Sequence, residues 1–177
     1  YLLQYGVKQY HLRKDSDFYP KAQFAAMLKS IPDGSDILFI LGEIDCREGI
    51  LVGVQKDAYE SVRQGMEQTI LHFAACLPNL IQKRKMNISI HPVLPMLKET
   101  RELVVEFNSH YCKVMQTRIP APGVHWLDFF DQLVVKSSTK SEGTTGTGTK
   151  DTKAKDTHTL SLRPGLRMDG THITPAY

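Results

Sequence analysis

The sequence predicts an α/β domain built on a parallel sheet with right-handed crossovers. Two kinds of segment predict it. Apolar runs bounded by turn residues recur along the chain, as buried parallel strands require. Between them lie segments with apolar residues three or four apart, the spacing of amphipathic helices. The two kinds alternate at least three times. Ligands of such sheets bind beyond the carboxyl ends of the strands, so functional residues are expected there.

Residues 18–31 suit the first helix: Phe18, Ala22, Ala25, Ala26 and Leu28 make its apolar stripe, and Pro32-Asp33-Gly34 stops it. Asp36 to Leu41 is an unbroken apolar run and reads as a strand buried on both faces, ended by Gly42. Asp57 is placed to cap a second helix carrying Tyr59, Val62, Met66, Ile70, Phe73 and Leu77 at helical spacing. Asn87 to Leu94 is the next strand, closed by Pro95. Glu99 to Gln116 forms a helix with Leu103, Val104, Phe107, Tyr111, Val114 and Met115 inward, and Val124 to Asp128 is a third strand. Residues 136–159 break the pattern. They are mostly Ser, Thr, Gly and Lys, and read as a flexible surface insertion that cannot offset its own ordering entropy.

The 177 residues fit one domain, and the apolar share of 41% suits a globular chain. The net charge of +3 is dispersed, so no nucleic-acid footprint is expected. No apolar run reaches a membrane span of roughly 18–20 residues. Cys46, Cys76 and Cys112 are odd in number and form no CxxC, which leans towards a reducing compartment such as the cytoplasm. The chain opens on Tyr1 and stops at Tyr177 just as an element begins, so the domain is expected to be truncated at both ends.

Two clusters can carry chemistry. In Gly42-Glu43-Ile44-Asp45-Cys46-Arg47, three charged side chains and a thiol gather at a strand-end turn. Gly42 allows a sharp turn or a close approach to a ligand. Arg47 offers a planar fork of donors suited to a carboxylate or an oxyanion. The same residues also suit a structural ion pair of Arg47 with Glu43 or Asp45. In Asp169-Gly170-Thr171-His172, the Asp can fold back to accept the imidazole Nδ1–H, fixing the tautomer and stabilising the imidazolium. A DxxH of this kind is equally compatible with a solvated loop.

Taken in order, these blocks resemble the SGNH (GDSL-like) hydrolase superfamily. Strand-Gly42-Glu43-Ile44-Asp45 is similar to the family's third block, a G-x-N-D segment ending a central strand. Asp169 to His172 resembles the fifth block, the D-x-x-H that carries the catalytic Asp and His. Between them, Ile88 to Pro95 resembles the strand that ends in a Pro-rich turn, and Phe107-Asn108 the Phe-Asn of the following helix. The resemblance runs from about Asp36 to the chain's end, outside the Ser/Thr/Gly segment. It implies a flavodoxin-like three-layer α/β/α sandwich and an acyl-ester hydrolase or acyltransferase. The substrate would be a small-molecule or carbohydrate ester, with no cofactor. Asp169 and His172 would be catalytic, and Gly42, Glu43, Asp45 and Arg47 would line the oxyanion or substrate site.

Two departures stand out. No Gly-Asp-Ser occurs, and Ser16 lacks both a preceding buried strand and a turn glycine, so the nucleophile is expected upstream of Tyr1. Ile44 stands where the family's oxyanion Asn would be. Losing one such donor costs ~3 kcal/mol of transition-state stabilisation, with Arg47 the first substitute. The alternative is a catalytically inactive SGNH-like module that keeps its cleft for carbohydrate or protein binding. His91 and His125 read as structural and Cys46 as a spectator thiol. No HxH or HExxH pattern supports a metal site.

Overall fold

The computed structural model describes residues 6–95, 97–119, 123–139 and 157–163. Three parallel strands, β1 (Asp36–Phe39), β2 (Asn87–Ile90) and β3 (Val124–Trp126), form a sheet in that order. Its register sets Phe39 beside Ile90 and Ile90 beside Trp126. Before β1 comes α1 (Tyr19–Ser30). The β1–β2 crossover carries α2 (Ile50–Gln55) and α3 (Val62–Ala74), and the β2–β3 crossover carries α4 (Arg101–Arg118). The alternation in the sequence is the alternation in the fold.

Ile37, Phe39, Ile88, Ile90, Val124 and Trp126 share one sheet face by register, and α1, α3 and α4 pack on it. Met66, Ile70 and Phe73 of α3 recur at three- and four-residue steps and are fully buried. So are Phe107 and Tyr111 of α4. A run of aromatic contacts crosses this layer: Phe24 to Phe39, Phe39 to Phe73, Phe73 to Tyr111 and Tyr111 to Trp126, with ring centroids 6.0, 5.0, 6.1 and 5.3 Å apart. Such pairs add about 0.5–1.5 kcal/mol each beyond their buried area.

The other face differs from expectation. Leu38 and Ile40 are 51% and 65% exposed, and His125, expected to pack, is exposed two strands away, with Ser89 between it and Leu38 in register. No described helix covers that side of β1. The apolar run from Asp36 to Leu41 is therefore buried on one face only, and its strand stops at Phe39.

Helix boundaries follow local chemistry. Asp57 does not cap α3. It stands at φ +56° in the turn after α2, and Ser61 takes the role, its Oγ accepting from Gln64 N at 3.2 Å. Both ends of the Ser/Thr/Gly segment are strands. β4 (Val134–Thr139) follows the short α5 (Phe130–Leu133) and pairs antiparallel with β5 (Thr157–Leu162), anchored by buried Val134 and Leu162.

Arg84 joins α1 to the entry of β2. Its guanidinium donates to the carbonyls of Leu28 and Ile31 at the end of α1, the Leu28 carbonyl also accepting from Ile31 N, and its Nε donates to Asp33 at 2.7 Å. Arg84→Ala should cost on the order of 2–3 kcal/mol, since charge-assisted bonds to half-buried carbonyls go unreplaced. Urea unfolding checks this, with Asp33→Ala losing less because its carboxylate is exposed.

Candidate functional site

Gly42 leaves β1 at φ +114°, a conformation L side chains rarely adopt. It ends the strand and lets a helix begin at once: Cys46 N donates to Gly42 O at 2.9 Å. Glu43 and Ile44 are helical, and a π turn, Asp45–Gly49, leads into α2. The cluster expected on a turn thus sits on a helix start. Gly42 also lies against its neighbours. A Cβ there would stand 2.8 Å from Val93 Cγ2 and 2.9 Å from Phe107 Cε1.

Val93 lies just beyond β2, and Asn108, buried on α4, holds it by both backbone groups. Val93 N donates to Asn108 Oδ1 and Asn108 Nδ2 donates to Val93 O, each at 2.8 Å. The exits of β1 and β2 and the middle of α4 therefore meet at the carboxyl edge of the sheet. Gly42, Val93 and Phe107-Asn108 come from the segments that carry the resemblance.

Asp45 faces inward. It is fully buried, and its carboxylate accepts from Gln9 N at 2.8 Å and Tyr10 N at 3.2 Å. Burial pushes the carboxyl up to about 6, against the pull of those two N–H donors and of Lys8. Cys46 is buried beside it, its thiol held well above the ordinary range by burial and then by Asp45 and Glu43. Such a thiol is not a nucleophile at neutral pH.

Arg47 is half-buried, with its Nε out of solvent. Its Nη1 is 3.7 Å from Glu43 Oε1 and its Nε 3.4 Å from Glu48 Oε1, the latter without hydrogen-bond alignment. Of the two carboxylates expected to pair with it, it meets Glu43 and not Asp45. Part-exposed pairs of this kind are worth ~0–1 kcal/mol, so the guanidinium is not tightly committed.

Asp169 and His172 lie outside the described residues. Ser16 Oγ accepts from Phe18 N at 3.3 Å, ahead of α1, a turn bond rather than a nucleophile's contact with a base. His91 Nδ1 lies 2.6 Å from Pro92 O, and its ring packs edge-on against Phe129 at 4.8 Å.

Sequence reasoning missed Gln9 and Tyr10. They hold Asp45 through backbone N–H groups, which every residue type but proline supplies, so no side-chain pattern marks them. A shallow groove of about 400 Å³ lies at the sheet's opposite, amino edge, bordered by Leu28, Lys29, Cys76, Leu80 and Arg84. Among the described residues, no three His, Cys, Asp or Glu side chains gather in a way that could hold a metal, and no helix is long and apolar enough to cross a membrane.

No family model matches the chain, and neither does any curated protein or solved structure.

Proposed function

We propose that this chain belongs to an SGNH-type hydrolase acting on ester bonds, within a three-layer flavodoxin-like fold. What supports it above all is the meeting of Gly42 with Val93 and Phe107 at the carboxyl edge of a parallel sheet. Open α/β sheets bind ligands at that edge. In this assignment His172 takes the proton of a Ser nucleophile outside residues 1–177, Asp169 orients His172, and the start of the helix after Gly42 borders the oxyanion. Asp45 drops out of direct substrate contact, because its carboxylate is spent on Gln9 and Tyr10. Glu43 and Arg47 remain half-buried beside the edge.

The second reading, a binding module without chemistry, is favoured by one observation. Arg47, the first candidate to substitute for the missing oxyanion Asn, rests between Glu43 and Glu48.

The test is turnover of short p-nitrophenyl esters by the whole gene product, with and without Arg47→Ala. A hydrolase that uses the guanidinium as a donor should lose about 10²-fold in kcat with KM nearly unchanged, and Arg47→Lys should recover only part. An Arg47→Ala variant with wild-type kcat leaves Arg47 as scaffold. No saturable turnover by the wild type overturns the hydrolase and leaves the binding module.

A further inference from the structure

We propose that the groove at the amino edge of the sheet binds a small apolar monocarboxylate, its chain along Ala25, Leu28 and Leu80 and its carboxylate at Lys29. Such binding is independent of ester hydrolysis, since the groove lies across the sheet from Gly42.

The groove, about 400 Å³, runs between α1 and the π turn Asn79–Lys83 that follows α3. Sites for small molecules span ~300–1,000 Å³, so this one suits a short ligand. Its floor is apolar. Leu28 and Leu80 are buried, Ala25 presents a methyl group, and the Cys76 thiol is turned away to His72 O at 3.6 Å. An extended peptide would bring an N–H and a C=O at every residue, and helical backbone such as that of α1 spends its own groups internally. A hydrocarbon chain asks for no such partner, and gains by leaving water.

The charged side chains that line the groove are both cations, Lys29 and Arg84. Lys29 is exposed in the last turn of α1 and has no ion-pair or hydrogen-bond partner among the described residues. A lysine there suits the helix dipole, which accounts for Lys29 but not for the apolar floor beside it. Arg84 is anchored by Leu28, Ile31 and Asp33, and a guanidinium has donors beyond those three bonds. Asn79, exposed and with its carboxamide unbonded, adds a neutral donor to the lining. A third cation flanks the Cys76 side. Lys21 Nζ is held there by the carbonyls of Arg13, Lys14 and Ser16. Burial pushes the Cys76 thiol up, and Lys21 is the one charge felt there, pulling it down. A cleft lined and flanked by one sign of charge selects the opposite sign, so an anion fits and a cation does not.

Amide NMR titration of the whole chain with sodium octanoate reads the site. The Ala25, Leu28, Cys76 and Leu80 amides should shift together and saturate with a Kd of ~1 mM, as a ligand of about ten heavy atoms in a shallow groove should. Octylammonium, the same chain with the opposite charge, should bind about tenfold more weakly. Lys29→Glu should weaken octanoate about five- to tenfold and erase that preference. Ala25→Trp should abolish saturation by filling the groove; both substitutions fall at exposed positions of α1, so folding is not at stake. Equal affinities for the two amphiphiles, an unchanged octanoate affinity in Lys29→Glu, or shifts centred on Leu38 and Ile40 overturn the site. So does broadening of these amides by phosphatidylglycerol vesicles without any response to octanoate, which would make the face a membrane contact. Concentration-dependent shifts of the same amides in the ligand-free protein would seat a second copy there and overturn it equally.

Discussion

Gly42→Ala is expected to destabilise the protein by about 2–6 kcal/mol, far more than alanine at another positive-φ glycine. Two costs add. The backbone at φ +114° is strained for any residue with a Cβ, at ~1–3 kcal/mol. The new methyl would also sit 2.8 Å from Val93 and 2.9 Å from Phe107, and forcing those apart costs a further ~1–3 kcal/mol. Phe107 is fully buried, and Val93 is held by Asn108, so neither gives way freely. Gly34 is the control. It has φ +79° but nothing within 4 Å of its Cβ position, so Gly34→Ala should carry the backbone cost alone. Urea unfolding of the two variants separates the terms. Equal losses would mean that the packing at the β1 exit is looser than the distances imply.

Under the proposed hydrolase reading, His172→Ala in the whole gene product should lower kcat for short esters by about 10³-fold or more, with KM within a few-fold of wild type. A general base acts only as the proton moves, so its loss falls on the transition state and not on ester binding. Asp169→Asn should also act on kcat, by about 10²–10⁴-fold, because the amide favours the wrong imidazole tautomer. Melting temperatures close to wild type would show that both effects are chemical. Ser16→Ala serves as a contrast: among the described residues its hydroxyl bonds Phe18 N, so activity should persist. Full activity in His172→Ala would sink the acid–base assignment and the hydrolase with it.

What the sequence made legible were features carried by side-chain pattern. The stripe of Met66, Ile70 and Phe73 marked α3, the stripe of Val104, Phe107 and Tyr111 marked α4, and Gly42 marked the break after β1. Features set by other parts of the chain stayed hidden. Asp45 read as a site-lining residue or a partner for Arg47, yet a segment 35 residues earlier buries it. Asp57 looked like a helix cap because Asp is a good one, but α2 ends directly before it and Ser61 serves instead. The composition of residues 136–159 gave no reason to order, and the ladder from Val134 to Thr139 comes from pairing with β5. Leu38 read as buried because an apolar run does not reveal which of its two faces is covered.

That uncovered face has a thermal consequence. The heat capacity of unfolding tracks the apolar surface newly exposed to water, at about 0.45 cal/K/mol per Å². Leu38 and Ile40 are already largely hydrated in the folded chain, so the second face of β1 adds little to that change. A strand covered on one face among the described residues contributes correspondingly less to the curvature of the stability curve than one covered on both. Cooling therefore takes less from such a strand's contribution, because less of it came from removing apolar surface from water.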